Sequence, residues 1–187
     1  MRRMLPVMML FMLFGLTACE TMAPKPEVLP AGVQLNAKYY TQVTMQYEKG
    51  KYRTSNYRRG ALLAVNTEVE LLGFTRKSIT VKLIKQNKEL LIENVIKHTG
   101  EDPYQAFAKL FAKQPLNLRK FTSAERKKIT QAKAAKGMSK DAVLVAIGYP
   151  PITRTPTLES DDWTYWSNRF NTFIVYFENG KVSRIKD

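Results

Sequence analysis

The sequence predicts an α+β protein, and three observations carry that prediction. Over residues 36–97, apolar and polar residues alternate in short runs split by turn residues, the pattern of half-buried strands. Over residues 101–135 the apolar spacing changes to i, i+3, i+4, i+7, the period of a helix. Residues 137–187 read as one helix and then three antiparallel strands, the last two joined by Asn179-Gly180, the strongest short hairpin signal.

The chain opens MRRMLPVMMLFMLFGLTAC. Arg2 and Arg3 precede an apolar run of 13 residues, 4–16. That run is short for a bilayer span, which needs about 20 residues, and it fits the apolar part of a signal peptide over residues 1–18. Leu16-Thr17-Ala18-Cys19 resembles the lipobox of bacterial lipoproteins, in which the thiol takes a diacylglycerol and the new amine is acylated. The other readings are an ordinary secretory signal with a chance cysteine, or a buried N-terminal helix. Cys19 is the only cysteine, so no intramolecular disulfide can form, as expected of a thiol kept for lipid. A diacylglycerol with an N-acyl chain anchors firmly where a single chain binds only marginally. Glu20 follows, and the lipoprotein resemblance then implies the outer membrane, facing the periplasm, rather than the inner one.

Cutting before Cys19 removes 18 of the 187 residues and leaves 169, enough for one domain or two small ones. The formal charge falls from +14 to +12, because two arginines and no acid leave. Such a balance ordinarily raises nucleic acid as a partner. An exported protein rarely meets it, so no nucleic acid is expected. The anions at hand are phospholipid head groups, lipopolysaccharide phosphates, peptidoglycan carboxylates and acidic protein surfaces. Alternatively, the excess Lys and Arg only keep the chain soluble near a membrane.

Residues 19–35 hold Pro24, Pro26 and Pro30 with little apolar content, an extended tether. The β-rich region covers 36–100. The run YYTQVTMQY, 39–47, alternates with Val43, Met45 and Tyr47 on one face. Turn signals follow at 48–51 and at 56–60, and further strands are expected over 65–72, 79–84 and 89–96. The run RRGALLAVNTEVELLGFTRKSITVKL resembles a bacterial SH3-like barrel. Asp102-Pro103 opens a connecting helix, within 101–121, with Tyr104, Phe107, Ala108, Leu110 and Phe111 on its apolar face, and Pro115 ends it. A second helix starts at Thr122 or Ser123; counted from Ser123, the run SAER falls short of a full capping box.

Residues 122–187 form the last unit. Ser139 caps a helix with Val143, Leu144 and Ile147 as its stripe, and Gly148 with Pro150 and Pro151 ends it. Gly137-Met138-Ser139, Val143, Ile147-Gly148 with Pro150, Trp163-x-Tyr165, and Phe177 with Gly180-x-Val182 resemble, in order and spacing, the SmpA/OmlA (BamE-like) domain of bacterial envelope lipoproteins. The resemblance implies two helices against a three-stranded antiparallel sheet. It implies a binding or scaffolding role in envelope or β-barrel protein assembly, although related lipoproteins share the domain without that link. The chain departs from the family's type member by the inserted β-rich region and by a tight turn between the first two strands of the sheet.

Alternation puts Trp163 and Tyr165 on one face of their strand and Thr164 and Trp166 on the other. In the next strand Phe173, Val175 and Phe177 share a face, and Ile174 and Tyr176 share the opposite one. A two-residue turn at Asn179-Gly180 pairs Phe177 with Val182 and Ile174 with Ile185. One face packs on the helix. The second is covered by the β region or the 104–111 helix, or else docks a partner through Trp166, Tyr176 and Ile174. Tyr57, Arg58, Arg59 and Arg169 sit in turns and are candidate contacts for anionic groups or, in the alternative function, for peptidoglycan held by the SH3-like region.

Catalysis finds little footing. His98 is the only histidine, Cys19 is expected to be acylated, and no His/Cys/Asp spacing fits a metal. Glu159, Asp161 and Asp162 read as a solvated loop rather than a pair of catalytic carboxylates. The expectation is a non-enzymatic protein with no catalytic residues and no cofactor or metal.

Overall fold

The computed structural model describes residues 29–187. The leader, Cys19 and the first part of the tether lie outside the described residues. Among the described residues, no helix is long and apolar enough to cross a membrane.

The molecule is α+β with two cores. The first is built on a curled six-stranded sheet. Its strands are β1 (Lys38–Thr41), β3 (Lys51–Arg53), β5 (Glu68–Phe74), β6 (Ser78–Leu83), β7 (Lys88–Glu93) and β8 (Phe111–Ala112), in the order β3-β7-β6-β5-β1-β8. Every neighbouring pair is antiparallel except β3 with β7. β2 (Met45–Tyr47) and β4 (Ala61–Leu63) form a separate pair. Ile79, Val81 and Leu83 alternate inward along β6 against Val69 and Leu71 of β5, as the period-2 pattern requires.

The run 39–47 is not one strand. It breaks at Gln42–Thr44 because its backbone turns to helix carbonyls: Gln42 N–H donates to Leu110 O (2.8 Å) and Thr44 N–H to Val145 O (2.9 Å). The expected strand over 89–96 also ends early, at Glu93, and the chain enters a short helix, α1 (Ile96–Thr99). Gly100 closes α1 in the left-handed region (φ 71°), where a Cβ would also meet Ile152.

Helix α2 (Pro103–Leu110) starts as the sequence indicates, with Asp102 and Gln105 completing a capping box. It ends at Leu110, before Pro115, because Phe111 leaves as β8 to pair with β1. Its Ala106, Phe107 and Leu110 close the first core, with Phe107 edge-on to Tyr39 at 4.9 Å. This helix therefore covers the N-terminal sheet, and not the outer face of the C-terminal one.

The second core joins α3 (Ser123–Thr130) and α4 (Lys140–Ile147) to the sheet β9 (Asp162–Trp166), β10 (Thr172–Glu178) and β11 (Lys181–Lys186), ordered β11-β10-β9. The cap of α3 is Thr122, and with Glu125 three positions on it completes the capping box that counting from Ser123 misses. α4 buries Ala142, Val143, Val145, Ala146 and Ile147, so its buried stripe is wider than expected and Leu144 sits at its margin. Trp163, Tyr165, Phe173, Val175 and Phe177 face inward. Phe177 pairs with Val182 as expected, but Ile174 pairs with Lys186, not Ile185. A bulge at Ser183 shifts the register by one residue, and Ile185 comes opposite Val175 on the core face.

Candidate functional site

A groove of about 910 Å³ runs where the two cores meet. One wall is the 48–59 stretch around β3 together with α1, and the other is the 153–154 loop with the end of β9. It presents six cations, Lys51, Arg53, Arg59, Lys97, Arg154 and Arg169, against the carboxylate of Glu48. Glu93 pairs with both Arg53 (3.0 Å) and Lys51 (3.4 Å), and Glu48 pairs with Arg59 (3.2 Å). Among the described residues, Lys97, Arg154 and Arg169 have no carboxylate partner. The groove is thus left with uncompensated positive charge in a concave wall, which concentrates field on an incoming anion.

His98 and Trp166 line the groove from its two walls, ring centres 6.0 Å apart, with the Arg154 guanidinium 5.0 Å from the Trp166 ring. The indole Nε1 of Trp166 is buried and has no hydrogen-bond partner among the described residues. His98 Nδ1 shares a 2.9 Å hydrogen bond with Thr153 Oγ1. Burial, and then Lys97, Arg53 and Arg154 nearby, hold the imidazole below its ordinary pKa. Close to neutral pH it is therefore mostly uncharged and can offer a hydrogen bond to an anion.

A smaller cavity of about 180 Å³ adjoins the groove, with His98 and Tyr57 lining both. Tyr52 lines it, 3% exposed, and its hydroxyl makes no hydrogen bond among the described residues. Its oxygen is still reached by solvent through the cavity, so a ligand that displaces that water must offer a partner or strand the hydroxyl at about 1–3 kcal/mol. Burial raises the Tyr52 pKa, so the group stays a neutral donor. Leu110, Ile152 and Leu158 supply apolar wall, and Glu101, ion-paired with Lys109, adds polar wall.

The residues named from sequence divide. Trp166, Arg59 and Arg169 line the groove. Phe170 beside Arg169 is 80% exposed at the tip of the 167–171 turn, which Asn168 Oδ1 holds by accepting from the N–H groups of Phe170 and Asn171. Tyr57 lines the groove and the cavity but is buried, not an exposed turn residue: it is 3% exposed, its hydroxyl donates to Tyr149 O (2.9 Å), and its ring stands edge-on to Tyr165 at 4.9 Å, so it also holds the two cores together. Arg58 lies over the Phe173 ring (3.7 Å) and pairs with Asp187 (2.6 Å), outside the groove. Ile174 and Tyr176 are half-buried on the outer face of the C-terminal sheet, with the Arg184 guanidinium over the Tyr176 ring at 3.6 Å. Glu159, Asp161 and Asp162 are exposed.

Arg53, Lys97, Arg154 and Tyr52 were not legible as site residues, because the contacts that gather them span the chain: His98 and Thr153 are 55 positions apart. Among the described residues, no group of three His, Cys, Asp or Glu side chains is placed to hold a metal ion. The chain matches no protein-family model, no curated protein and no solved structure.

Proposed function

We propose that this chain is a non-catalytic, lipid-anchored binding component of the bacterial envelope, which scaffolds envelope assembly by holding an anionic partner in the basic groove. In this reading Cys19 carries the lipid, at the inner leaflet of the outer membrane, and the Pro-containing tether stands the folded part off the surface. The observation that carries the reading is the set of three cations, Lys97, Arg154 and Arg169, that have no carboxylate partner among the described residues and share one groove with Trp166. The packing of α3 and α4 against β9–β11 is the arrangement that the SmpA/OmlA (BamE-like) resemblance implies, and it supports envelope proteins, barrel-assembly components included, as partners. The curled N-terminal sheet is compatible with an SH3-like region. The cavity beside the groove favours a second reading, in which peptidoglycan is the partner, because wall carboxylates are anions borne on sugar and peptide.

The test is crosslinking capture from the protein's own membranes with wild type and the Arg154→Glu/Arg169→Glu variant. Capture is expected to fall by about tenfold, the equivalent of roughly 1.4 kcal/mol, while the variant stays in the membrane pellet. Equal capture by both proteins removes the groove as the dock. Cys19→Ala is expected to move the chain to the soluble fraction, and pelleting of that variant would contradict the anchor.

A further inference from the structure

We propose that the small cavity and the basic groove form one bipartite site for an anionic sugar: the cavity takes a single pyranose-sized ring, and the groove takes the phosphate or carboxylate that the ring carries. This rests on the groove reading above and assigns the chemistry of its ligand. The cavity, at about 180 Å³, is below the roughly 300–1,000 Å³ of pockets that enclose a drug-sized molecule, so it holds one ring and the rest of a ligand must leave through the groove.

The walls select the kind of ring. A hydrocarbon ring would leave the Tyr52 hydroxyl unspent, and with it the proton of Thr155, whose Oγ1 already accepts from Thr164 N–H (2.9 Å). A bare anion would meet the Glu101 carboxylate in the wall, where Lys109 is already paired with it, and would lose water against Leu110. A sugar ring offers apolar C–H faces to the tyrosine and aliphatic walls and hydroxyls to Tyr52 and Thr155. His98, shared by both spaces, sits where Arg53, Lys97 and Arg154 gather, so an anion on the ring would meet those cations as it emerged.

His98 is the only histidine, so the full chain with labelled histidine in detergent micelles gives one imidazole signal to follow. The probes are glucose 1-phosphate, glucuronate, inorganic phosphate and glucose, at matched ionic strength. At least one sugar anion is expected to shift the signal with an affinity about tenfold above inorganic phosphate and above glucose. Which of the two acids does so identifies the anion as phosphate or carboxylate. Tyr52→Phe, which removes a hydroxyl with no hydrogen bond among the described residues, should erase the advantage over phosphate and leave phosphate binding as it was. Arg154→Gln should weaken every anion. If sugar anions and phosphate bind alike, or Tyr52→Phe matches wild type, the cavity takes no sugar and the groove reading survives. If no probe moves the His98 signal, both fail.

Discussion

At the residue scale, Glu125 is the side chain on which most depends. Its Oε2 accepts from the N–H (2.9 Å) and hydroxyl (3.0 Å) of Thr122, the cap of α3. Its Oε1 accepts from the N–H (2.9 Å) and hydroxyl (2.8 Å) of Ser139, the cap of α4. One carboxylate thus fixes two helix starts, where negative charge is also favoured by both helix dipoles. Burial pushes the carboxyl up, but hydrogen bonds from the two backbone N–H groups and the two hydroxyls outweigh it and hold the pKa at about 2. The unfolded value is about 4.3. The folded pKa is the lower one, so the stabilisation is fully present above the unfolded value and is lost as pH falls from about 4.3 towards about 2. Glu125→Gln keeps the shape but turns one of the two acceptor oxygens into a donor facing the N–H and hydroxyl of one cap. It is expected to cost about 1–2 kcal/mol near neutral pH, with the gap from wild type closing through that acid window. Denaturant midpoints near pH 7 and pH 3 check it, and a gap of equal size at both would refute the ionised double cap.

At the scale of elements, the two edges of the C-terminal sheet answer differently to a lost residue. Ser183 is the extra residue of the bulge, and without it Val182, Arg184 and Ile185 still stand opposite Phe177, Tyr176 and Val175. Deleting Ser183 is expected to preserve the fold at a cost of about 1 kcal/mol, mostly for the lost hydroxyl bond to Tyr176 O. Deleting Thr164 from β9 removes the spacer between Trp163 and Tyr165 and sends one of two fully buried rings to the outer face. Losing a buried ring costs about 3–5 kcal/mol, a large share of a domain's roughly 5–15. Thermal melts and near-ultraviolet dichroism of the two deletions should show a cooperative native protein for the first and a collapsed signal for the second. The same sheet shows what a sequence can disclose. The alternation of Trp163 with Tyr165 and of Phe173, Val175 and Phe177, the Ser139 cap and the Asn179-Gly180 turn are local patterns and were readable; which face turns inward was not, because both carry large apolar groups. The bulge was not, because Val182 to Lys186 alternates acceptably in either register. Nor was the end of α2 at Leu110, because Phe111 fits a helical face as well as it fits the β8–β1 pairing that claims it. The groove was least legible, since its cations share no stretch of chain.

At the scale of the whole molecule, the groove exists only because the two cores are held in register. Thr44 ties the β body to both later helices, by its N–H to Val145 O (2.9 Å) and its hydroxyl to Ile129 O (3.3 Å). Ile152 N–H donates to His98 O (2.8 Å), which joins the loop carrying Arg154 to α1. Tyr57 comes from the N-terminal region but is buried in the second core, between Tyr149 O and the Tyr165 ring. A junction of this kind should make the two cores unfold together. Tyr57→Phe loses one buried hydrogen bond, at about 1 kcal/mol, and should leave a single transition with the groove intact. Tyr57→Ala removes the ring as well, at about 3–5 kcal/mol, all of it charged to the junction. Calorimetry of the alanine variant is therefore expected to resolve two transitions where wild type gives one. Its groove cations, no longer held opposite one another, should also lose their grip on anions although none of them has been changed. A lower but still single transition would place the coupling elsewhere, with Thr44 the next residue to replace.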